Sequence, residues 1–139
     1  MTQRLSDPKI QAFLAAKEVA VLATIRADGA PLLTPMWFLP ESESLAMVSI
    51  AASAKVRNLR RDGRVAVVAE AGTRGDIRGV ALEGRATILP DGQERRGLVE
   101  RLLGKYDPHL ERRWGSRAMP PDRVLFRIVP SVVRSWGLA

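Results

Sequence analysis

The chain has no cysteine, one histidine (His109), one tyrosine (Tyr106) and only 5% aromatic residues. The lack of cysteine excludes disulfides, thiolate nucleophiles and cysteine-ligated zinc. With a single histidine, a metal site would have to be built from carboxylates, and none cluster in the sequence, so no metal is expected. No Ser-His-Asp arrangement or pair of catalytic carboxylates stands out, which counts against a hydrolase and leaves no catalytic residue to name. No run of about 18 apolar residues occurs, so no membrane-spanning helix is expected. The opening MTQRLSDPKI has no apolar signal-peptide core, and a cytoplasmic location is the expectation.

What is present is a chain of 139 residues, 46% hydrophobic, which reads as one globular domain over 1–139. The net charge is +7, carried by 18 arginines against 4 lysines. Arginine holds phosphate and carboxylate through a planar fork of donors, so an anionic ligand is one reading of this excess. Nucleic acid is another. Against it, the chain lacks the interleaved aromatics and glycine signatures of RNA-binding sheets.

Along the chain, SDPKIQAFLAAKE opens a helix, with Ser6 or Asp7 as cap, Pro8 in the first turn, and an apolar stripe of Ile10, Phe13 and Leu14. A strand at 19–25 is too apolar to be half-exposed. A turn at 26–29 follows, with Asp28 and Gly29 supplying positive φ. The returning strand at 30–38 contains Pro31 and Pro35, which suits an edge or a bulge. LPESES makes a second turn before a strand at 45–50. Strands are expected at 64–70 and 79–89, joined by AGTRGDIR, then a helix over 90–106 in which Tyr106 closes the end. Residues 107–122 read as irregular or briefly helical, with His109 on the surface. A strand at 123–130 and a short terminal strand complete the chain. Glu83 and Arg85 read as a surface ion pair. A meander of short strands with inserted helices, not alternating βα units, points to a barrel or sandwich.

The most informative stretch is SIAASAKVRNLRRDGRV, 49–65. With Ser53 as N-cap, a helix runs from Ala54 to Asp62 and stops at Gly63. Ala52, Val56 and Leu59 face the barrel, and Arg57, Arg60, Arg61 and Arg64 face solvent. At the helix start, free N–H groups, the hydroxyls of Ser49 and Ser53, and Lys55 gather at the positive end of the helix dipole. A cation in the first turn opposes that dipole. A bound anion would turn the mismatch into an asset.

GAPLLTPMWFL (29–39) followed by VSIAASAKVRNLRRDGRV (48–65), with LEGRATIL and a final RIVPSVVRSWG, resembles the pyridoxamine-phosphate-oxidase-like proteins. Within them the chain is similar to the small bacterial flavin and deazaflavin (coenzyme F420) oxidoreductases. The resemblance implies a mainly β (α+β) fold, a six- to seven-stranded antiparallel split β-barrel with peripheral helices. It implies a homodimer with two cofactor sites at the interface. Thr34, Pro35, Met36 and Trp37 would face the cofactor ring. Ser49, Ser53, Ala54, Lys55 and Asn58 would form the phosphate-binding segment, and Trp136 would approach the site from the partner subunit. Thr34, Leu39 and Ala54 stand where, or close to where, true pyridoxamine-phosphate oxidases carry basic residues that help hold FMN phosphate. This departure argues against vitamin B6 oxidation and against tight FMN binding. KVRNLRRDGRV is more like the F420-using members, whose cofactor carries a phosphodiester and γ-glutamyl tail suited to a diffuse basic groove that the arginine face would help form. The implied activity is hydride transfer between the deazaflavin and an unsaturated or conjugated small molecule. The alternatives are an FMN-binding oxidoreductase of the same fold and a non-catalytic flavin- or tetrapyrrole-binding protein.

Overall fold

A computed structural model of the chain describes residues 3–138. The elements are α1 (Pro8–Ala16), β1 (Ala20–Ile25), β2 (Pro31–Met36), β3 (Leu39–Pro40), β4 (Leu45–Ile50), α2 (Ala54–Arg61), β5 (Arg64–Thr73), β6 (Asp76–Ile88), α3 (Gln93–Lys105), α4 (His109–Trp114) and β7 (Arg123–Trp136). All seven strands join one antiparallel sheet in the order β2-β1-β5-β6-β7-β4-β3.

That order fixes the shape. The two edge strands, β2 and β3, are consecutive in sequence and joined only by Trp37 and Phe38. Two residues span at most about 7 Å of extended chain, so the edges of the sheet must come together. The sheet therefore curls into a barrel that stays split where β2 and β4 face each other unpaired. The fold is α+β, a split-barrel arrangement. Pro31 and Pro35 both sit on edge strand β2, where their missing N–H groups remove no ladder bond on the outer side.

Local chemistry accounts for the elements. Asp7 caps α1 by accepting the Lys9 N–H at 2.8 Å, with Pro8 at the first position. In the β1–β2 turn only Gly29 takes a positive φ, +89°. Asp28 keeps negative φ and instead accepts the Ala30 N–H at 2.9 Å, so the expectation of two positive φ values is corrected to one. α2 ends at Arg61 with Asp62 as its extended C-cap, one residue short of the expected end, and Gly63 is not a left-handed stop. A side chain at Gly63 would press on the Ala86 carbonyl at 3.1 Å, so packing against β6 explains the glycine.

Three further expectations change. The hairpin of β5 and β6 is longer than the apolar pattern suggests, because pairing runs on to Thr73 opposite Asp76. β7 is one strand through Pro130, since a bulge opposite Glu83 and Gly84 absorbs Ser131 and leaves the proline's missing N–H harmless. Gly84 is required there: a Cβ would lie 2.2 Å from the Val129 carbonyl oxygen. Glu83 pairs across the strands with Arg134, its diagonal neighbour on β7, at 3.0 Å rather than with Arg85.

The barrel interior is filled by Leu22, Met36, Phe38, Met47, Phe126 and Ile128 among others. β1 alternates in burial despite its apolar sequence, with Ala20, Leu22 and Thr24 inward. A second cluster packs α3 and α4 on the outside of β4 and β7, through Leu98, Leu102, Leu103, Tyr106, Leu110 and Leu125. Among the described residues no helix is long and apolar enough to cross a membrane.

Candidate functional site

The site is built where β4 hands over to α2. Ser53 is the N-cap of α2, its hydroxyl accepting the Val56 N–H at 3.4 Å. The Ser53 and Ser49 hydroxyls lie 3.3 Å apart, and Lys55 Nζ donates to Ser49 Oγ at 3.0 Å. Two hydroxyls and an ammonium thus form one connected set at the helix start. Burial holds the Lys55 pKa below its ordinary value. A partly desolvated ammonium whose hydrogen-bond acceptor is a neutral hydroxyl is a charge in want of an anion.

The set lies on one lip of a cavity of about 450 Å³ at the split of the barrel. Pro35, Met36 and Trp37 form one side and Val48, Ser49 and Ile50 the other, and residues of α3 and α4 form the wall beyond. Lys55, Arg113 and Arg123 line it, and no carboxylate residue does. Arg123 is paired with Asp122.

Five of the ten residues marked from the sequence therefore share the cavity: Pro35, Met36, Trp37, Ser49 and Lys55. Ser53 stands directly behind Ser49. Thr34 is half-buried on β2 opposite Leu22, and Ala54 is the exposed first residue of α2. Asn58 is buried and turned to the barrel, donating to Thr24 Oγ1 at 3.1 Å and accepting from Arg61 at 2.8 Å, which ties α2 to β1. Trp136 lies at the end of β7 remote in sequence from Arg123, its ring resting over Gly79. The arginine face of α2 is exposed and outside this cavity. Arg57 and Arg61 donate to the carbonyls of Ala52 and Ile25, and Arg64 pairs with Asp62. Ala52, expected to face the barrel, is exposed because it precedes the helix in the turn.

The wall beyond Trp37 depends on Tyr106, which does close α3 but also does more. Its ring stacks on Trp37 with centroids 4.5 Å apart and planes 4° from parallel. Its hydroxyl accepts the Phe38 N–H at 2.8 Å and lies 2.8 Å from the Glu18 carbonyl. Lys105 Nζ donates to the Phe38 carbonyl at 2.8 Å and sits 3.8 Å above the Phe38 ring. Burial lowers the Lys105 pKa to about 8 from 10.5 and raises that of Tyr106 to about 12 from 10.0.

These opposite shifts give a testable alkaline profile. A lysine held below its unfolded pKa costs stability while protonated, and the cost disappears as pH rises from about 8 toward 10.5. A tyrosine held above its unfolded pKa has the reverse effect, and stability falls as pH rises from 10.0 toward about 12. Melting temperature measured against pH is therefore expected to climb above pH 8 and turn down beyond pH 10. The Lys105→Met variant should lose the climb relative to wild type and keep the downturn; parallel curves for the two proteins would refute the assignment.

Arg113, Trp114, Tyr106 and Leu110 were not marked as site residues from the sequence. Leu110 and Trp114 are four apart in HLERRW, a helical spacing that puts both on one face. That signal was available within a segment read as irregular or briefly helical, and the brief helix is α4.

Comparisons with known proteins follow this geometry. Over 107 residues the chain is 34% identical to the F420H(2)-dependent biliverdin reductase of Mycobacterium tuberculosis, covering 76% of this chain and 74% of that protein. A conserved hypothetical protein of Mycobacterium tuberculosis superposes with a TM-score of 0.81 at 30% identity, over 99% of this chain and 90% of that one. The heme storage protein HutZ of Vibrio cholerae has a TM-score of 0.79 over 99% and 98% of the two chains, but at 19% identity it speaks for the fold alone. Residues 6–137 match the pyridoxamine 5'-phosphate oxidase family model, and the chain belongs to that family.

Proposed function

We propose that the protein is an F420-dependent oxidoreductase, a reductase passing hydride from the deazaflavin to an unsaturated or conjugated small molecule. The observation that carries this reading is the joined Ser49–Ser53–Lys55 set on the lip of an aromatic-walled cavity without a lining carboxylate. Such a site fits a ligand with an anionic phosphoryl end and a flat apolar ring. Lys55 and Ser49 would hold the phosphoryl group, and Pro35 and Met36 would contact the ring. When bound, the deazaflavin supplies the hydride chemistry; the chain's part is to bind, orient and shield. The F420-using relative supports the choice of cofactor. The neutral residues Thr34, Leu39 and Ala54, at positions basic in FMN-holding members, support it too.

The same reading includes a homodimer. It is supported by a second groove of about 830 Å³, lined by Ala23, Ile25 and Val129 together with Arg64, Glu83 and Arg85. Leu33 and Val129 are 66% and 55% exposed, which a second copy would cover. Trp136, far along β7 from its own cavity and resting over Gly79, either anchors the end of the chain or covers the partner's site.

Fluorescence and absorbance titration of the purified protein tests the cofactor. F420 is expected to bind at least about 10-fold more tightly than FMN, a difference of about 1.4 kcal/mol, and the protein should purify colourless. Tighter binding of FMN, or its co-purification, would overturn the reading in favour of an FMN enzyme.

A further inference from the structure

The cavity that Lys55 lines holds a second cation, the exposed Arg113, on the wall formed by α4. Arg113, on α4, has no hydrogen-bond or ion-pair partner among the described residues. Its guanidinium rests over the Trp37 ring, 5.7 Å from the centroid. The nearby carboxylates are taken: Asp107 and Glu111 both pair with Arg117, at 3.0 and 3.6 Å. Asp122 pairs with Arg123. Trp37 is backed by Tyr106, and Trp114 stands beside it in the lining.

We infer that this α4 end of the cavity is a separate subsite for a planar, conjugated carboxylate, with Arg113 as its anion clamp and Trp37 as its stacking platform. An exposed cation–π contact is weak, about 0.5–1 kcal/mol. A carboxylate offers the same guanidinium a stronger, bidentate partner. When Arg113 turns from the indole to the carboxylate, the Trp37 face is freed for the ligand's ring in the same movement. Tyr106 keeps that face fixed from behind. Lys55, bonded to Ser49 at the end of β4, remains available to a different anion. That this ligand is the hydride acceptor rests on the function proposed above; its binding does not.

Calorimetric titration of the full-length protein with 2-anthracenecarboxylate and with its methyl ester tests the subsite. The acid is expected to bind at least about 10-fold more tightly than the ester, roughly the value of one charge-assisted contact. Arg113→Gln should abolish that preference by weakening the acid alone, and Arg113→Lys should restore part of it. Lys55→Ala should leave acid binding unchanged. F420 affinity should be the same in Arg113→Gln as in wild type, and saturating F420 should not displace the acid. Equal binding of acid and ester, an unaffected Arg113→Gln, or loss of acid binding in Lys55→Ala would each overturn the assignment. Absence of F420 binding to wild type, with the Arg113-dependent preference intact, would sink the cofactor and leave the subsite standing.

Discussion

Lys55→Ala is expected to weaken F420 binding by about 10- to 100-fold while leaving the fold as stable as before, or more so. A hydrogen bond from a charged donor to an anion contributes about 1.5–3 kcal/mol, and the ammonium is the only full charge in the Ser49–Ser53–Lys55 set. In the free protein the same ammonium is a liability. It is partly buried, its pKa is lowered by that burial, and its recorded partner is a neutral hydroxyl. It also sits in the first turn of α2, where the helix dipole disfavours a cation. Alanine removes these costs and improves helix propensity. A binding residue and a structural residue thus predict opposite signs in thermal unfolding. Titration and melting of the same variant separate them: unchanged affinity, or a fall in melting temperature that accompanies the loss, would show that Lys55 is not a ligand anchor.

The contrast between Lys55 and Arg113 explains what the sequence could reveal. Lys55 was legible because its chemistry is local. The capping serine, the helix start and the preceding strand lie within seven residues, so spacing alone brings them together. The strands were legible for the same reason, with errors confined to places where polar or proline residues interrupt an apolar pattern yet pairing continues. Thr73–Asp76 and Pro130 are two such places, and Leu39–Pro40, read as part of a turn, is a third: it pairs with Leu45 and Ala46 as β3. Arg113 and Tyr106 join the site only because β2, α3 and α4 are brought together by barrel closure and by the second core cluster. No local pattern encodes that meeting. Asn58 shows the reverse: its position on α2 put it among candidate ligands, but the helix is rotated so that it bonds Thr24 instead. Family resemblance marks a segment, and only packing decides which face of it looks into the cavity.

Tyr106→Phe is expected to lower the melting temperature by about 5–10 °C and to loosen the cavity wall. The stacking partner of Trp37 would survive, so the loss isolates one hydroxyl. That hydroxyl accepts the N–H of Phe38, a residue with no exposed surface. Its single proton has two carbonyls within reach, those of Glu18 at 2.8 Å and Phe38 at 3.0 Å. Removing the oxygen orphans a buried backbone donor, which costs about 1–3 kcal/mol. In a domain of this size that corresponds to about 3–5 °C for each kcal/mol. Phe38 and Trp37 are the two residues joining the edges of the sheet, so the damage falls on the closure of the barrel and on the platform facing Arg113. Tryptophan fluorescence should report a changed Trp37 environment together with the lower melting temperature. A variant melting within 1–2 °C of wild type would mean that water reaches the Phe38 amide, and that the stack and the hydrophobic cluster hold the split together without the hydroxyl.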